Sequence, residues 1–166
     1  MSNNDLRWKP SVTVAAIIEQ DGRYLLIEEQ TPEGLKLNNP AGHLDPAESP
    51  EQAVVRETLE ETMRPFQPEA LLGVYLSRFH RQASGEDVTY MRFAFCGRVG
   101  DELPGLQLDT GIVRTLWMTV EEIRASVAHH RSPLLLRCVE DHLAGIRHPL
   151  GLVTTDATVY APELRD

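Results

Sequence analysis

Apolar positions along this chain follow two rhythms. From Ser11 to Glu19 (SVTVAAIIE) they are nearly continuous and β-branched, the pattern of a strand covered on both faces. Gln20-Asp21-Gly22-Arg23 interrupts them with a turn of hairpin type, and Tyr24 to Glu28 (YLLIE) reads as the partner strand. Thr31 to Leu35, holding Pro32 and Gly34, is expected to be a loop, with Lys36 to Pro40 leading on from it. The strand rhythm returns at Glu69 to Arg78, where Gly73 is a candidate bulge. A polar loop is expected from Phe79 to Asp87. A long strand then runs from Val88 to Val99, in which Met91, Phe93 and Phe95 alternate with Tyr90, Arg92 and Ala94. The loop Gly100 to Gly111 precedes a last strand, Val113 to Met118.

Between the two strand groups the period changes. Ser49 is a good N-cap and Pro50 suits a first helical position, so a helix is expected from about Glu51, with Val54, Val55 and Leu59 toward the core. Thr119 with Glu122 forms a capping box for a second helix, and Ser132-Pro133 opens a third, Leu134 to Leu143, ending near Gly145. Residues 1–9 form a polar lead-in with Trp8 as a candidate anchor on the core. Residues 150–166 form a tail with little period, where Val159 and Tyr160 are candidates to pack on the sheet. With no internal repeat, the 166 residues read as a single domain.

Composition narrows the partners. A net charge of −9 argues against a nucleic acid polymer or an anionic membrane, though a bound divalent ion reverses the local sign of an acidic site. The two cysteines lack metal-ligand spacing, and Cys96, within the apolar run Phe93 to Cys96, is expected to be a buried free thiol. Neither a signal-peptide core nor a membrane-length apolar run is present, so a cytoplasmic location is expected.

The chemistry concentrates at the end of the first helix, Arg56-Glu57-Thr58-Leu59-Glu60-Glu61. Glu57, Glu60 and Glu61 fall within an arc of roughly 100° on one helix face, where like charges repel. Taken alone, such a run is more often a solvated acidic face. A cation is the alternative, and carboxylate oxygens suit a hard ion such as Mg²⁺, with Mn²⁺ fitting the same ligands. Glu48 lies eight residues before Arg56, too far for a helical pair, but within reach of folding back to brace the guanidinium.

Gly42, then Glu48, Arg56-Glu57 and Glu60-Glu61 together resemble the Nudix box, the signature of Nudix hydrolases. The resemblance implies an α/β/α sandwich with a mixed sheet between helices, and Mg²⁺-dependent hydrolysis of a nucleoside diphosphate linked to another moiety. It also implies that Glu57, Glu60 and Glu61 bind the metal, that the Ala41 carbonyl adds a ligand, and that Glu48 and Arg56 brace the site. Three positions depart from the pattern: Thr58 and Arg64 stand where an aliphatic residue is usual, and Met63 where glycine is. A glycine would end the helix easily, so Pro65 is expected to help stop it here. The runs VTVAAII, DGRYLLIEE and NNPAGHL further resemble the NudJ-like phosphatase subgroup, as do Tyr90 to Phe93 and Arg131 to Leu134. That likeness implies nucleoside di- and triphosphates, or a thiamine-precursor pyrophosphate, as substrate. The rival expectations are an ADP-ribose or dinucleotide pyrophosphatase and a non-catalytic nucleotide sensor.

Other roles are weaker in the sequence. Glu60, Glu61 or Asp109 is the candidate general base, Asp109 being equally suited to cap the turn at Gly111. Arg78, Arg92 and Arg131 are candidate phosphate grips, although a single arginine is more often in a surface ion pair. Tyr90 is a candidate for base stacking, and His43 and Asn39 for lining the site. The substrate is expected to be a small molecule, and the protein a monomer or homodimer.

Overall fold

The computed structural model describes residues 7–81 and 84–161. Its spine is β1 (Ser11–Gln20), in which Val14 through Ile18 are each at most 1% exposed. Along one edge β1 runs parallel to β6 (Glu86–Val99). Its other edge pairs antiparallel with β4 (Ala41–His43) near the start and with β2 (Arg23–Thr31) at the end. β2 carries β3 (Gly34–Asn38) and β7 (Ile112–Thr119), while β5 (Phe66–Arg81) pairs with β6, completing a mixed seven-stranded sheet.

Both faces are covered because side chains alternate along each strand. Val14, Ala16, Ile18 and Phe95 pack under α1 (Pro50–Thr62). Ile17, Tyr24, Ala94 and Cys96 face the opposite layer with Ile123 of α2 (Val120–Ala125) and Leu135, Cys138 and Val139 of α3 (Leu134–Leu143). This is an α/β/α sandwich. Cys96 and Cys138 are both buried free thiols.

The β1–β2 turn holds Asp21 and Gly22 at positive φ, the two-residue form that suits a twisted hairpin. The bulge at Gly73 is present as a register shift between Leu71 and Gly73. Several expectations are corrected. Residues 31–35 form no open loop: Thr31 lies opposite Gly34, its hydroxyl donating to the Gly34 carbonyl at 2.8 Å, and β2 turns into β3 through Pro32-Glu33. The polar stretch from Phe79 to Asp87 largely continues the β5–β6 ladder as far as Arg81 opposite Glu86. Polarity there reflects exposure on both faces, and Arg78 and His80 pair with Asp87 across the strands. Trp8 does not anchor on the core, being 69% exposed. In the tail, Leu150 and Val153 pack against the α1-side core, whereas Val159 and Tyr160 stay exposed.

Candidate active site

Local sequence fixes both ends of α1. Ser49 accepts from the Gln52 N–H, and the Gln52 side chain accepts in return from the Ser49 N–H, a reciprocal cap. At the other end Met63 takes the left-handed conformation at φ 58°, its N–H donating to the Leu59 carbonyl at 2.8 Å. A methionine thus occupies the conformation that glycine adopts without strain, and Pro65 follows it.

Gly42 lies opposite Val14 in the β1–β4 ladder, facing α1. A Cβ there would stand 2.0 Å from Cδ of Glu57, so a larger residue would have to push the Glu57 carboxylate out of its place. The Ala41 N–H donates to Oε2 of Glu61 at 2.8 Å. Glu48 folds back onto Arg56 in bidentate fashion, at 3.1 Å from Nε and 2.7 Å from Nη2. Arg56 Nη1 reaches Glu57 at 2.8 Å and Glu60 at 3.2 Å, and Nη2 donates to the His43 carbonyl at 3.0 Å. One guanidinium therefore ties the box loop to the acidic helix. Its hydrogen bond holds the Glu48 carboxyl below the usual range, and the Arg56 pKa is raised chiefly by the same bond.

Glu61 is 8% exposed, and its pKa is pushed up to about 9. Burial is the main cause; the Ala41 N–H opposes it, and the charges of Glu57, Glu29 and Asp109 add to it. Burial likewise raises Glu57, with Arg56 opposing. Among the described residues no lysine, arginine or histidine pairs with Glu61. The cluster is short of positive charge, and its donors are hard carboxylate oxygens, so the residues present fit a divalent cation. Among the described residues, however, no three His, Cys, Asp or Glu side chains already converge as a finished cage. Arg56 holds Glu57 and Glu60 in that role.

The remaining expected residues separate into near and far. Asp109 is near: its N–H donates to the Glu60 carbonyl at 2.9 Å, while its Oδ1 accepts from the Thr110 N–H and so caps its own turn. Arg131 is at the rim, paired with Glu29 at 3.2 Å. His43 and Tyr90 approach one another with ring centroids 6.3 Å apart. Arg78 is far, on the outer β5–β6 hairpin with Asp87. Arg92 is no open phosphate grip: it is 6% exposed, donating to Oδ1 of Asn39 at 3.3 Å and of Asn38 at 3.4 Å. Asn39 is equally buried under that contact and lines nothing open. Both corrections come from the β1–β6 register, which turns Arg92 toward α3 and leaves its Nε without a partner.

Glu29 was not singled out by sequence reasoning. The signal was available, since β2 alternation places an acid on the face of buried Ile27, where an apolar residue belongs. Its pKa is raised by burial, with Arg131 opposing.

An acidic helix laid on a mixed sheet sets its carboxylates beside the Gly42 strand, and the relatives that match this sequence place it among hydrolases of phosphoric anhydride bonds. The chain belongs to the NUDIX domain family, whose model matches residues 7–138. Phosphatase NudJ of Escherichia coli K12 is 31% identical over 146 residues, covering 88% of this chain and 92% of that protein. A NUDIX hydrolase from Nitrosomonas europaea superposes with a TM-score of 0.80 at 51% identity, covering 89% of this chain and 98% of that one. An ADP-ribose pyrophosphatase from Streptococcus suis, 18% identical with a TM-score of 0.58 over 81% of this chain and 92% of its own, shares the fold alone.

Proposed function

We propose that this chain is a Mg²⁺-dependent hydrolase releasing phosphate from nucleoside di- and triphosphates or from a related small pyrophosphate, such as a thiamine-precursor pyrophosphate. We place it in the cytoplasm as a monomer or homodimer. The observation that carries this reading is Glu61, a buried carboxylate flanked by three other acids and, among the described residues, in no ion pair. Likeness to a phosphatase over most of the chain supports the reaction class.

Glu57, Glu60 and Glu61, with the Ala41 carbonyl, would hold the ion; Mn²⁺ would satisfy the same oxygens. When bound, Mg²⁺ supplies charge neutralisation on phosphate oxygens and acidifies water. The protein's own residues do the rest. Glu48 and Arg56 hold the Glu57 carboxylate against the Gly42 backbone, and the Ala41 N–H fixes Glu61. Glu60, 45% exposed at its side chain, would be the carboxylate most easily released from Arg56 to help hold the ion. Asp109, seated beside the end of α1, takes the proton from the attacking water in this scheme.

Product analysis tests the proposal. The purified protein with Mg²⁺ is offered GTP, GDP, ADP-ribose and the thiamine-precursor pyrophosphate, beside a Glu60→Gln/Glu61→Gln variant. Orthophosphate from GTP and GDP or from the thiamine precursor, lost in the variant, is the expected result. AMP from ADP-ribose alone would overturn the phosphatase assignment while keeping the family chemistry.

A further inference from the structure

We propose that the cavity at the start of β1 and β6 is a ring-stacking subsite, taking the heteroaromatic moiety of the substrate between Trp8, His43 and Tyr90. The proposal rests on the hydrolase reading above and names the part of the substrate that reading leaves open.

The cavity measures about 330 Å³, and Trp8, His43, Arg81, Thr89 and Tyr90 are among its walls. That volume lies at the lower end of the range for small-molecule sites, roughly 300–1,000 Å³. His43 and Tyr90 present tilted rings 57° apart, and the Tyr90 hydroxyl accepts from Arg81 Nη2 at 3.1 Å, which steadies its ring. Trp8, 69% exposed, also lines the cavity and leaves its indole open to it. Aromatic faces held open in this way accept any heteroaromatic ring, because stacking needs only a π-face.

Position links this cavity to the chemistry. His43 follows Gly42, where an added Cβ would fall 2.0 Å from Glu57 Cδ, and the His43 carbonyl accepts from Arg56. Alternation turns the His43 ring to the face away from α1, so a substrate with its phosphates on the acidic helix would reach it around the edge of the short strand β4. The alternative path, inward between the sheet and α3, is filled by Arg92 on Asn38 and Asn39. A second cavity, near Glu19, Glu69, Arg98 and His142, opens at the far end of β1. From Val14, opposite Gly42, to Glu19 the strand rises roughly 17 Å, which separates that cavity from the box.

The test is equilibrium binding by the full chain with Mg²⁺, using the non-hydrolysable methylene analogue of GDP and, as the ring-less probe, methylenediphosphonate. Trp8→Ala and Tyr90→Ala are each expected to weaken the GDP analogue about 10-fold, within the range measured for base–aromatic stacks. Methylenediphosphonate should bind both variants as it binds the wild type, and Tyr90→Phe should retain the affinity. With Trp117→Phe leaving Trp8 as the sole indole, the GDP analogue should quench emission and methylenediphosphonate should not. Unchanged affinity for the GDP analogue in both alanine variants would overturn the subsite. The hydrolase reading is judged separately, by turnover of GDP in the wild type, so the two failures are distinguishable.

Discussion

At Glu61 the fold buries a carboxylate that, among the described residues, has no ion-pair partner, and this has a measurable pH signature. The folded pKa of about 9 stands above the ordinary 4.5, so its contribution to stability in the metal-free protein is fully present below pH 4.5 and is lost as pH rises toward 9. A metal ion replaces the proton. Binding at pH 7.5 is therefore expected to release about one proton, read by calorimetry in two buffers of different ionisation enthalpy. Glu61→Gln should remove the release and flatten the stability slope, leaving only the smaller part from the raised Glu57 and Glu29 carboxyls. Gly42 offers a steric counterpart. Gly42→Ala places a methyl 2.0 Å from Cδ of Glu57, and the displaced carboxylate is expected to lower kcat by about 100-fold while the protein still melts cooperatively. These two residues were legible in the sequence because box spacing is local: helix geometry alone gathers Glu57, Glu60 and Glu61, and Arg56 with Glu48 needs only a short loop. Glu29, Arg92 and Asn39 were not, because strand register and burial decide their surroundings, and neither is visible in a linear pattern.

Helix α1 tells the same story one level up. Its start was readable from Ser49-Pro50, since capping is a property of adjacent residues. Its end was less so, because the left-handed residue is a methionine, which no propensity rule nominates. A left-handed non-glycine residue costs about 1–2 kcal/mol, and glycine's greater freedom in the unfolded chain offsets part of that gain. Met63→Gly is therefore expected to stabilise the protein by roughly 0.5–1 kcal/mol, seen as a rise of about 1–4 °C in melting temperature. A fall would show that the Met63 side chain contributes more packing than its backbone costs. The β5–β6 hairpin was underestimated for a different reason. Polar residues at its tip suggested a loop, yet a ladder exposed on both faces has no need of apolar positions.

Across the whole molecule, Arg92 connects layers that the sequence presents as separate. It rises from β6, meets Asn38 at the end of β3 and Asn39 ahead of β4, and lies by Cys138 of α3. Arg92→Ala would leave a cavity and two buried acceptors without donors. A loss of about 2–4 kcal/mol is expected in denaturant titration, with weakened Mg²⁺ binding as the Pro40-Ala41 turn loosens. An unchanged midpoint would mean that water replaces the guanidinium without cost. The sandwich itself was legible, because the order of strand and helix periods and the box both pointed to it. The cross-connections between its layers were not.

The central position of β1 also sets a schedule for synthesis. Its hairpin with β2 engages only Glu19 and Gln20, whereas its apolar length is matched by β6, Ser11 opposite Tyr90 and Ile18 opposite Gly97. At ribosomal rates of roughly 5–20 residues per second, β1 emerges between about 4 and 16 seconds before that partner is made. For that interval a sticky β-branched segment has β4 on one edge but waits unpaired on the edge meant for β6. A nascent chain stalled before β6 would be a natural client for chaperones and the form of this protein most prone to aggregate.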